Sequence, residues 1–84
     1  MTISILKLSA GQTIARPYNR ASGVAEMQEM IGFAIAYANG IKRPSNDQAE
    51  QFGMDVHSEN LDSEMPVHVM ADGSKFYAFR ESNS

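Results

Sequence analysis

Asp55, His57 and Glu59, in the stretch MDVHSE, come nearest to a chemical constellation in this chain. On an extended strand alternate residues point the same way, so these three would offer a cation one nitrogen and two carboxylates. A solvated polar strand has the same composition, and three ligands from one short stretch make an open, weakly defined site. His57 and His68 are the only histidines, and cysteine is absent. Nucleophilic catalysis needs an activated Ser, Cys or Lys against a positioned base. With nine serines in the chain, a Ser–His neighbour would carry little meaning. The six glycines match neither a phosphate-cradling loop nor a dinucleotide fingerprint. The residues therefore point away from an enzyme and toward a protein with no cofactor and no metal.

Charge is the stronger signal. The net charge is −3, but it is unevenly spread. Residues 1–43 hold Lys7, Arg16, Arg20, Lys42 and Arg43 against only Glu26 and Glu29. Residues 44–74 hold no Lys or Arg and carry Asp47, Glu50, Asp55, Glu59, Asp62, Glu64 and Asp72. A dipolar molecule with an acidic flank is expected. The first six of those acids are the candidate partner-binding flank. A row of carboxylates steers toward a basic surface and can occupy one that otherwise holds nucleic acid. The same row also serves solubility. Direct nucleic-acid binding is disfavoured by the net charge and the missing basic run, although the bases of 1–43 could form a small patch.

The elements that must position these groups are few. TISILKLS, 2–9, starts as a strand with Ile3 and Ile5 on one face, and its alternation slips at Leu6. A bulge explains the slip, as does a strand that is apolar on both faces. SAGQ, 9–12, reads as a turn or as a capping box of Ser9 with Gln12; the turn is preferred because TIARPY then returns as a short second strand, at an edge because Pro17 cannot donate to a ladder. A long helix is expected over about 22–39, capped by Ser22 and stopped by Gly40. Val24, Met27, Met30, Ile31, Ala34, Ile35 and Ala38 fall within about 140° of its circumference, the core face. Ala25, Gly32 and Ala36 make a flank where a second backbone can approach closely. Ser45 with Gln48 fits a capping box for a short helix over about 46–52, ended by Gly53. Residues 54–64 read as an acidic loop or a marginal strand.

MPVHVMADGSKFYAF, 65–79, reads as a C-terminal hairpin extending to about 80. A two-residue turn at Asp72-Gly73 pairs Val69 with Phe76 and puts His68, Met70, Tyr77 and Phe79 on the second face. A three-residue loop shifts the register by one and moves Phe76 beside His68 and Met70. Either way both faces carry an aromatic, and one long helix covers only one face. Phe33, His68, Met70, Tyr77 and Phe79 are therefore the candidate aromatic patch for a partner.

The expected fold is α+β, one domain over 1–84: a small antiparallel sheet of three to four strands on one long helix, in the order β-β-α-α-β-β. No stretch is long and apolar enough to span a bilayer, and MTISILKLSAG lacks the features of a signal peptide. With no disulfides in so small a chain, a cytoplasmic location is expected. The expected function is a non-enzymatic protein-binding inhibitor or regulator. It would dock an acidic and aromatic surface on a larger basic protein or protein–nucleic acid complex. In size and character the chain is similar to phage and mobile-element accessory proteins, among them anti-CRISPR and other anti-defence inhibitors. The alternative is a homodimeric structural or regulatory accessory protein built on the Gly32/Ala36 flank and an open hairpin edge. A nucleic-acid-binding or metal-dependent protein comes after both.

Overall fold

The computed structural model describes residues 2–81. Two strands, β1 (Ile3–Leu8) and β2 (Arg16–Ala21), precede the helices α1 (Val24–Ala38) and α2 (Asn46–Gly53). A 3-10 turn at Ser58–Asn60 leads to β3 (His68–Val69) and β4 (Lys75–Arg80). The four strands form one antiparallel sheet in the order β2-β1-β4-β3. This is the α+β architecture expected. The molecule is 19 Å through its thinnest direction, which admits one sheet and one helical layer but not three layers.

β1 is a central strand, and it is apolar on both faces for that reason. Ile3 and Ile5 are buried beneath α1, while Leu6 and Leu8 lie half-buried on the opposite face. The irregularity expected near Leu6 sits on the neighbouring strand. Ile5 pairs with Asn19 and Leu6 with Pro17, so Tyr18 is the extra residue of a bulge in β2. The turn at 9–12 is closed by the Gln12 N–H donating to the Ser9 carbonyl at 3.0 Å. β2 begins three residues later than TIARPY implied, because Thr13 and Ile14 belong to the bend that follows this turn. As an edge strand β2 is poorly suited to pairing with another chain. It contains Pro17 and a bulge, and the Arg20 N–H already donates to the Asn19 side chain at 2.8 Å.

α1 buries Met27, Ile31 and Ile35 against Ile3, Ile5 and Phe76, with Val24, Met30 and Ala34 at the margin. Ala38, the last residue of the expected arc, is exposed. The N-cap is Gly23, one residue after Ser22. Ser22 instead anchors Glu26: its hydroxyl donates to Glu26 Oε2 at 2.8 Å and its N–H to Glu26 Oε1 at 3.3 Å. Gly40 takes the left-handed position after the helix, at φ +87°.

The small-residue flank of α1 is filled by this chain's own second helix. A Cβ on Gly32 would lie 1.9 Å from the Ala49 carbonyl oxygen, and one on Gly53 would lie 2.5 Å from that of Gln28. Gly32, Ala36, Ala49 and Gly53 are all buried. The homodimer route through Gly32/Ala36 is therefore closed.

The hairpin uses the three-residue loop. The Gly73 N–H donates to the Met70 carbonyl at 3.0 Å, and the Met70 N–H donates to Ser74 at 2.7 Å. Gly73 sits at φ +93°, the left-handed residue such a loop requires. His68 then pairs with Phe76 and Val69 with Lys75. Val67 also donates its N–H to Phe76, at 2.8 Å, so the ladder slips there and Val67 turns into the core. Met65 and Pro66 are outside the strand, and the edge is two residues long. Beyond it the loop at Asp62 takes over. Its N–H donates to the Ala78 carbonyl at 2.9 Å, and its carboxylate receives the Arg80 N–H at 2.6 Å and pairs with the Arg80 side chain.

Candidate functional site

The crossing of α1 and α2 leaves a groove of about 850 Å³. Glu29 comes from α1; Asp47 and Glu50 come from α2. Gln28, Gln48, Gln51 and Met54, which is 81% exposed, also line it. No Lys, Arg or His lines this groove. Its geometry follows from the glycines, because only a crossing without Cβ atoms at 32 and 53 brings the helices this close. The start of α2 is held by the capping box. The Gln48 N–H donates to Ser45 Oγ at 3.2 Å, and the Ser45 N–H donates to Gln48 Oε1 at 2.9 Å. Glu29 lies outside the acidic stretch of residues 44–74. In the sequence it reads as a dipole partner in the first half of α1, and only the helix crossing sets it opposite Asp47 and Glu50.

The remaining candidate acids follow the loop. Asp55, Glu59 and Glu64 are exposed. Asp62 is engaged within the fold: the Arg80 N–H, then the Arg80 side chain, hold its carboxyl below the usual range. Asp72 is lowered by the Ser74 N–H and hydroxyl in the same way. The metal constellation does not form. Asp55, His57 and Glu59 lie on a turn leading into the 3-10 segment, not on an extended strand, so their side chains do not align. His57 Nδ1 is 3.3 Å from Glu59 Oε1. Among the described residues no three His, Asp or Glu side chains are placed to hold an ion.

The five residues of the expected aromatic patch do not share a surface. The observed register separates them. Tyr77 pairs with Leu6 and Phe79 with Ser4, on the outer face of the sheet with Leu8 and Val69. His68, opposite Phe76, is on the helix side, where burial lowers its pKa against the opposing pull of Asp55. Met70 packs against the core, and Phe33 is half-buried on α1, in the other layer.

A second, smaller pocket of about 440 Å³ lies where β1 and β2 meet their connecting turn. Lys7, Gln12, Ile14, Arg16 and the bulged Tyr18 line it. The Tyr18 ring stands edge-on to Phe76, with centroids 4.9 Å apart, and Lys7 Nζ lies 5.7 Å above the Phe76 ring. Partial burial, then repulsion from Tyr37, raises the Tyr18 hydroxyl's pKa.

These features define a two-layer α+β protein with an acidic groove on its helical side and a basic–aromatic pocket at one end of its sheet. No family model matches the chain, and no curated protein or solved structure is significantly similar to it. Among the described residues no helix is long and apolar enough to cross a membrane.

Proposed function

We propose that this protein acts by stoichiometric binding, docking the α1–α2 groove on a basic surface of a larger protein and so inhibiting or regulating it. The carrying observation is that Glu29, Asp47 and Glu50 from two helices converge on one groove that no cation lines. A lysine or arginine side chain entering there meets three carboxylates and the amides of Gln28, Gln48 and Gln51. Met54 adds an exposed, adaptable apolar contact. Such a surface steers a basic partner and competes with nucleic acid for it. That action suits an anti-defence protein in the bacterial cytoplasm, in keeping with the chain's size and charge.

The test starts with the immobilised protein and a bacterial lysate, with captured proteins identified by mass spectrometry. A basic protein should be retained. Its affinity for the triple variant Glu29→Gln/Asp47→Asn/Glu50→Gln should be at least about tenfold weaker, with a flatter dependence on salt. Equal affinity and equal salt dependence would remove the groove from the interface. Capture of acidic proteins alone would reject the reading.

A further inference from the structure

The basic–aromatic pocket has no part in the reading above, and its composition specifies a ligand. Among the described residues seven large hydrophobic side chains are exposed, and two of them, Ile14 (70%) and Tyr18 (42%), line this pocket. A third, Tyr37 (58%), is close enough to act on the Tyr18 hydroxyl. Lys7 and Arg16 pair directly across β1 and β2, close to the bulged Tyr18, and neither forms an ion pair among the described residues. The Asp72 carboxylate, which feels the Lys7 charge, already accepts the Ser74 N–H at 2.8 Å. Ser9 and Gln12 add polar groups at the rim.

The bulge brings a ring to this pair of cations. The extra residue in β2 is Tyr18, whose ring stands edge-on to Phe76 beside the Lys7–Arg16 cross-strand pair. A ligand that matches must pair a flat apolar ring with negative charge at short spacing. We propose that this pocket binds single-stranded nucleic acid, one base lying against Tyr18 and Ile14 and adjacent phosphates meeting Arg16 and Lys7. Stacking on an aromatic is indifferent to base identity, so binding is sequence-tolerant. The acidic groove shares no lining residue with this pocket.

The test uses the full chain and fluorescein-labelled decathymidylate, read by anisotropy at low salt. Saturable binding is expected, with a Kd on the order of 10⁻⁴ M or tighter. The logarithm of affinity should fall against log salt with a slope of about −1.4, two phosphates at about −0.7 each. Arg16→Ala, on an exposed position, should cut that slope by about half without altering the circular dichroism spectrum. Tyr18→Leu should weaken binding about tenfold, whereas Tyr18→Phe should bind as the parent does. Absence of any anisotropy change up to millimolar protein would overturn the proposal. So would Arg16→Ala and Tyr18→Leu both binding like the parent. Deca-glutamate competing as well as unlabelled decathymidylate would make this an acidic-peptide site and would equally reject it.

Discussion

The acidic groove and the basic pocket are built by opposite devices. The groove comes from regularity: two helices brought close by glycine at 32 and 53, so that Glu29, Asp47 and Glu50 face one another. The pocket comes from an irregularity: Tyr18, the one unpaired residue of an edge strand, lies beside the cross-strand pair Lys7 and Arg16. Each rests on buried keystones. Gly32 and Gly53 permit the helix crossing, and Phe76 supports Tyr18 and Lys7. Charge segregated along the chain becomes segregated in space only through these contacts. Glu29 shows the limit, since it lies in the basic half of the chain yet joins the acidic groove.

Removing the basic end's keystone should have the largest effect. Phe76 is fully buried and touches both layers. Phe76→Ala should cost about 3–5 kcal/mol. A domain of this size has on the order of 4–12 kcal/mol in total, so the urea midpoint should fall by a large fraction of its value. Phe76→Leu, which leaves less empty volume, should cost less. A loss below about 1 kcal/mol for Phe76→Ala would mean that the pocket does not depend on that ring.

At the acidic end, Gly32→Ala separates two effects of opposite sign. Helix propensity alone favours alanine by about 1 kcal/mol. A methyl placed 1.9 Å from the Ala49 carbonyl oxygen must instead push the helices apart, and overpacking of this kind costs about 1–3 kcal/mol or more. Net destabilisation is expected, with faster amide exchange across α2 than across β1 and β4. Stabilisation by the alanine would show that the crossing is looser than 1.9 Å implies and that the groove is not held by it.

The contrast also shows what could be read in the chain beforehand. The element order, the core face of α1, the capping box at Ser45 and the three-residue option for the hairpin all rest on local chemistry. A period of 3.6, a side chain within reach of its own backbone and a glycine at positive φ are local properties. The placing of Tyr18 was not legible, because the slip seen at Leu6 belongs to the opposite strand and a bulge can absorb it on either side. The Gly32 flank was legible as a close-approach surface but not as an internal one. Nothing in the spacing says whether the approaching backbone is α2 or a second copy. The joint aromatic patch failed for a related reason: one step in register exchanges every side chain between faces, and His68 parted from Tyr77 and Phe79 on that step.

A smaller change sharpens the acidic side without breaking it. Ser45→Ala removes the oxygen that accepts the Gln48 N–H, and loss of such a cap costs about 1 kcal/mol. The first turn of α2 should fray, taking Asp47 with it. Partner binding through the groove should therefore weaken more than global stability does. Equal losses in both would place Asp47 outside the interface.

The smallest effect separates a structural acid from a docking acid. Asp62 is on the acidic stretch, but its carboxylate serves the Arg80 N–H and guanidinium, and its pKa is lowered as a result. A folded-state pKa below the unfolded one means that the unfolded chain binds more protons in the interval between them. The stabilisation is therefore complete above the usual carboxylate range and is lost as the pH falls through the folded-state value. Asp62→Asn keeps a residue that tolerates the left-handed backbone at φ 63° but cannot ionise. The parent should be more stable than this variant near pH 6, and their urea midpoints should converge as the pH drops from about 5 to about 2. Asp72, similarly lowered, stays in both proteins and leaves each a residual slope. Partner binding at neutral pH should be unchanged by Asp62→Asn, in contrast to neutralisation of Glu29, Asp47 and Glu50. A binding loss from Asp62→Asn as large as that from the groove triple variant would erase the distinction between the two kinds of acid.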